Sequence, residues 1–124
     1  MKQLVVASVL VLAASASNSL FADDDYEHFE AVESPDLDTA LENLAEYNEK
    51  LRAILDGDSL SPSDMGKVHE LTYTLENALG RIEEEVEEVA EVLEEVHQAS
   101  ERADRETVQS SGEAYLSTTD KLVK

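Results

Sequence analysis

The chain has 124 residues, 29 acidic and 9 basic, for a net charge of −20, and it contains no cysteine. A surface of that sign repels nucleic acid and anionic lipid, and it attracts cations and basic partners. Without a disulfide, a domain this small relies on its apolar core or on partner chains.

The first residues read "MKQLVVASVLVLAASASNSLFADDD". Lys2 supplies a positive start, Leu4 to Ala14 form an apolar run, and small residues follow. That run is well short of the roughly 20 residues a membrane-spanning helix needs. The pattern predicts a secretory signal peptide over residues 1–22, with no membrane anchor left after its removal. Cleavage after Ala22 fits the switch to Asp23, Asp24 and Asp25; cleavage after Ala16 is the alternative. The expected location is the periplasm, or the medium beyond it. Residues 23–33, "DDDYEHFEAVE", hold no clean period and read as an acidic flexible arm, with Tyr26 and Phe29 as anchors.

Residues 34–124 read as a single all-α domain. Ser34 as cap and Pro35 at the first helical position open a helix over about 35–56. Leu37, Leu41, Leu44, Leu51 and Leu55 recur along it at helical spacing, and Gly57 marks its stop. The second start is stronger: Ser61 caps, Pro62 follows, Asp64 stands third, and Leu60 and Met65 occupy the positions of a hydrophobic staple. From there Val68, Leu75, Ile82, Val89, Val96 and Ala103 recur every seventh residue. Leu71, Ala78, Val92 and Ala99 fill one flank of that seam, and Leu79, Val86 and Leu93 the other. A stripe this wide suits a helix packed against two neighbours.

Gly80 alone interrupts the run, at a cost of about 1 kcal/mol relative to alanine. The spacing therefore predicts one long central helix over about 62–102; a bend near Gly80, giving a compact four-helix bundle, is the alternative. Asp104 caps a last helix over about 105–123, in which Gly112 is placed to let another helix approach closely. Two short helices cannot cover a rod of about 60 Å on every side. Apolar stripe left exposed favours a protein partner or a second copy, so a homodimer is expected.

No cysteine nucleophile, glycine-rich phosphate loop or serine elbow is present, so no catalytic residue is assigned and the expectation is a protein that is not an enzyme. Eight of the thirteen residues in "EEEVEEVAEVLEE" (83–95) are glutamate, the composition of a solvated helix face. His97 is the sharpest metal candidate, with Glu94 three residues before it and Glu101 four after, all able to share one helical face. Glu-x-x-His is the half-motif of dimetal carboxylate bundles, which use it twice. His69 has Met65 one turn before it and Tyr73 one turn after; Met and His are also the ligand types of small haem carriers. His69 and His97 stand 28 residues apart, with Glu83 at the midpoint. A bend near Glu83, or an antiparallel dimer centred there, would bring them level.

The segments "HELTYTLENAL" (69–79), "DYEHFEA" (25–31), "LAEYNEKLRAIL" (44–55), "LEEVHQASERAD" (93–104) and "GEAYL" (112–116) together resemble a family of short exported bacterial helical proteins of unknown function. The resemblance implies a small periplasmic helical protein and brings no substrate or active site with it. A looser similarity of architecture links the chain to b562-type cytochrome bundles, from which it departs in lacking an axial histidine near its C-terminus. The expected function is a non-catalytic periplasmic binding or interaction module without cofactor. Divalent-metal binding or buffering through His97, Glu94, Glu101 and His69 is the alternative, and a small haem carrier is the third.

Overall fold

A computed structural model describes residues 29–124, and the strongest start signal in the sequence opens its longest element. Ser61 Oγ accepts the Asp64 amide at 3.1 Å, and Asp64 Oδ2 accepts the Ser61 amide at 3.1 Å, closing a capping box. With Pro62 in the first turn, the helix runs unbroken over 40 residues, Pro62–Glu101 (α2), about 60 Å in length. The bend near Gly80 and the four-helix bundle it would produce are thereby excluded. The heptad seam continues in phase on both sides of Gly80, which outweighs the backbone entropy of one glycine.

The first helix, Leu37–Leu55 (α1), begins two residues later than its Ser-Pro signal suggests. Asp36 is the cap, its carboxylate accepting the Thr39 amide at 2.8 Å. A carboxylate also meets the positive end of the helix dipole, which a serine cannot do. Ser34 is used elsewhere: its Oγ accepts from Asn43 Nδ2 at 3.1 Å. Gly57 follows α1 without entering the left-handed region.

The third helix, Arg105–Leu122 (α3), is capped by Asp104 as expected, its carboxylate accepting the Thr107 amide at 3.2 Å. Ala103 is not part of the seam. It sits in the turn with a φ of 56°, where its amide donates to Ser100 O at 3.1 Å and the Asp104 amide to Ala99 O at 2.9 Å. Those two bonds form a Schellman closure, which favours glycine at the left-handed position. Ala103→Gly is expected to stabilise the chain by about 1 kcal/mol, read as a melting temperature higher by roughly 4–8 °C.

α1 and α3 both run antiparallel to α2 and follow one another along one face of it, α1 on its N-terminal half and α3 on its C-terminal half. The core is correspondingly thin: Leu37 and Ala40 from α1, and Leu71, Leu75, Ala78, Val89 and Ala99 from α2. Gly112 faces open space rather than a neighbouring helix, because a Cβ there would meet nothing within 4 Å.

The end of the segment that has no period is held by polar side chains. The Val32 amide donates to the fully buried Thr74 Oγ1 at 3.0 Å, and Asn77 Nδ2 donates to Val32 O at 3.2 Å. Asn43 Nδ2 donates to Glu33 O at 3.2 Å, so α1 and α2 both grip this strap. The signal-peptide reading, its cleavage sites and most of the acidic arm lie outside the described residues.

Each helix start also depends on a carboxylate. Asp36, Asp64 and Asp104 all titrate below the ordinary aspartate range, because Thr39, Ser61 and Thr107 respectively donate hydrogen bonds to the charged form. A folded-state pKa below the unfolded value gives stability that is complete above the unfolded pKa, about 3.9, and is lost as pH falls through the folded one. Melts followed by circular dichroism should show a triple variant, D36N, D64N and D104N, less stable than the parent near neutrality. That gap should close below about pH 4.

Candidate functional site

The two described histidines lie on α2, 28 residues apart, which places them about 42 Å from each other in a continuous helix. They cannot cooperate within one chain. His97 Nε2 stands 3.4 Å from Glu101 Oε1, with both side chains about two-thirds exposed, at 63% and 67%. Glu94 shares the face but is turned away, its Oε1 accepting from Gln98 Nε2 at 2.9 Å. His69 pairs with Tyr73: the phenol oxygen is 3.1 Å from Nε2, and the rings meet edge to face at 5.0 Å. Of the four candidate metal residues the structure brings together His97 and Glu101. Among the described residues there is no group of three His, Cys, Asp or Glu side chains placed to hold a metal ion. Met65 is on the same helix as His69, about half exposed, so the two cannot flank a planar ligand from opposite sides.

A second cluster was not singled out from the sequence. Along one flank of the seam run Leu71, Ala78, Glu85, Val92 and Ala99, so the middle place in an apolar row is held by a carboxylate. That place is where the N-terminus of α1 meets the C-terminus of α3. Glu85 is paired there with Arg81, and Lys121 Nζ of α3 reaches Asp38 Oδ2 of α1 at 2.6 Å. Lys121 titrates above the usual lysine range because Asp38 accepts its hydrogen bond, with Asp36 and Glu85 adding attraction. Arg81 is raised in the same sense by Glu85. This ionic junction closes the gap between two helix ends that cover α2 in series. Its charges pair with one another, Arg81 through its two terminal nitrogens with Glu84 and Glu85, while Arg81 Nε is buried without a hydrogen-bond partner; the pairing marks the junction as structural.

The largest unexplained feature is apolar. Leu79, Val86 and Leu93, seven residues apart on α2, are 53%, 45% and 45% exposed. Among the described residues nothing covers the flank of the seam that the sequence assigned to a second neighbour, about a quarter turn from the face that α1 and α3 occupy. Beside it a shallow groove is lined by Ala90, Leu93, Glu94, Val96, His97 and Ser100. Acid borders the stripe at Glu76, Glu83 and Glu94. Among the described residues no helix is long and apolar enough to cross a membrane.

A family model of unknown function matches the chain over residues 1–124. The chain belongs to that family, DUF6746. No curated protein matches it, and no solved structure does. Membership in DUF6746 thus agrees with the resemblance read from the helical segments, and it carries no activity, substrate or location with it.

Proposed function

We propose that this member of DUF6746 is an exported, non-catalytic interaction module whose contact surface is the exposed stripe of α2. The observation that carries the proposal is the uncovered row Leu79, Val86 and Leu93. A continuous helix repeating large apolar side chains every seventh residue on a face the described residues leave open is suited to receive another helix. Supporting features are the rigid capping of α2 at both ends and a surface with no enclosed cleft among its described grooves. Export is supported by the apolar run and small residues of 1–22; mass spectrometry of the mature protein should then give Asp23 as its first residue.

The test is affinity capture from a periplasmic extract with the native chain and a Val86→Ser variant. Val86 is about half exposed, so the variant should keep the native melting temperature within a few degrees and lose bound protein. Equal capture by both forms would sink the proposal.

The metal-buffering alternative keeps one observation in its favour, the His97–Glu101 contact. Zinc titration followed by the histidine proton resonances tests it. Shifts confined to His97 would support it, and unchanged resonances would remove it.

A further inference from the structure

We infer that the exposed stripe of α2 is occupied by α2 of a second copy of this chain, antiparallel, about a two-fold axis at Ala90. This rests on the stripe being a contact surface, as proposed above, and adds what covers it. The inference comes from the order of residues along the stripe. Glu83, Val86, Ala90, Leu93 and His97 follow one another at steps of three, four, three and four. Reversed about Ala90, Glu83 and His97 exchange places, Ala90 keeps its own, and Val86 and Leu93 exchange to within one residue, about 1.5 Å along the axis. Glu83 comes level with His97 of the partner subunit and Ala90 with the partner's Ala90, while Val86 comes within one residue of Leu93 of the partner subunit.

Shape and charge both select this register. Alanine at the centre permits the closest approach of two helix backbones. Leu79 and Val86, which project on one half of the stripe, come within one residue of the partner's Ser100 and the partner's Leu93, where the groove beside Ala90 leaves room. Each Glu83 carboxylate meets an imidazole that can donate a hydrogen bond and, when protonated, an opposite charge. A parallel pairing would set Glu83 against Glu83 of the partner subunit. An antiparallel pairing centred on Glu83 would do the same, although it would bring His69 level with His97 of the partner subunit. Like charges directly opposed make both arrangements unfavourable.

The size of the stripe sets the strength of the pairing. From Leu79 to Ser100 it is about 33 Å long, and a helix face about 10 Å wide supplies less than the roughly 800 Å² per partner of a standard interface. The dimer is therefore weak, in the micromolar range or above. Two copies at −20 each also repel at long range, and salt screens that repulsion beyond about 8 Å at physiological strength. Self-pairing should strengthen as salt is added, whereas a basic partner would be released by it.

The chain contains no cysteine, so single-cysteine variants report the register directly. Under mild oxidation Ala90→Cys should form a disulfide-linked dimer at least about tenfold faster than Glu46→Cys on the outer side of α1, because bridging needs Cα atoms within about 7 Å. Glu83→Cys alone should link no faster than that control, while a mixture of Glu83→Cys and His97→Cys chains should cross-link. Sedimentation of the native chain from about 5 to about 500 µM should show a monomer–dimer equilibrium that shifts toward dimer with salt. Faster linking of Glu83→Cys than of Ala90→Cys overturns the register. A native chain that stays monomeric, with Ala90→Cys no faster than the control, overturns self-pairing. If that monomer still captures a protein that Val86→Ser loses, the interaction module stands and only its occupant was misassigned. If capture is also unaffected, both fall.

Discussion

Gly80→Ala and Gly112→Ala, combined, are expected to stabilise the chain by roughly 2 kcal/mol and to raise its melting temperature by about 10 °C. Each glycine lies inside a helix with an ordinary, negative φ, so alanine fits the backbone as it stands. A Cβ at either position would meet nothing within 4 Å. Alanine then gains the whole difference in helix propensity, through a smaller entropy loss from the unfolded chain, and nothing in the fold opposes it. The single variants are informative apart. If Gly80 were a working hinge, alanine there would leave stability flat while changing the dimensions of the molecule in small-angle scattering. If Gly112 admitted a close neighbour, alanine would destabilise. Gains of about 1 kcal/mol at each, with unchanged scattering, are the signature of one straight 40-residue helix with two unhindered glycines on the bundle.

What could be read from the sequence divides along the range of the interactions involved. The starts of α2 and α3 were legible because Ser61 with Asp64, and Asp104 with Thr107, act over three residues. The length of α2 followed from the heptad phase being the same before and after Gly80. The start of α1 was misplaced because Ser34-Pro35 imitates a cap, while Asp36 holds the Thr39 amide and Ser34 is drawn to Asn43. Ala103 fits the heptad by number alone. Periodicity carries no information that the chain has already turned, and a left-handed alanine gives no glycine to announce it.

The longer-range features were hidden for a different reason. Lys121 and Asp38 are 83 residues apart, and only the serial placement of α1 and α3 along α2 brings them together. Glu85 did leave a trace, as the charged gap between Ala78 and Val92 on an otherwise apolar row. The strap at Val32 is held through its backbone, which a side-chain pattern cannot reveal. Around His97 the helical wheel put Glu94 and Glu101 equally in reach. The choice between them was decided by Gln98, which occupies Glu94 and leaves His97 to Glu101. The exposed flank was legible as an apolar row but not as an uncovered one. The row appears in the sequence, and its lack of a neighbour among the described residues appears only once α1 and α3 are seen to share one face.

Leu75→Ala should cost about 2–4 kcal/mol and lower the melting temperature by roughly 10–20 °C. The core explains the size of the effect. Of its seven buried apolar residues three are alanines, so Leu37, Leu71, Leu75 and Val89 carry the large side chains that hold three helices together. A fold that is a rod with helices on one face cannot collapse far around a cavity, which keeps the loss near the upper part of that range. Total stability for a domain of this size is of order 5–15 kcal/mol, and a core this thin belongs toward the lower end. Val86→Ala removes an apolar side chain of similar kind from the same helix, eleven residues further on, where it is half exposed. At low protein concentration it should change stability by less than about 0.5 kcal/mol. Raising the concentration should separate the two variants further, since native pairing adds stability by mass action and Val86→Ala forfeits that increment while Leu75→Ala retains it. Equal losses at low concentration would mean that Val86 is packed within its own chain. The row from Leu79 to Leu93 would then belong to the core, and the open face on which both the interaction module and the dimer depend would not exist.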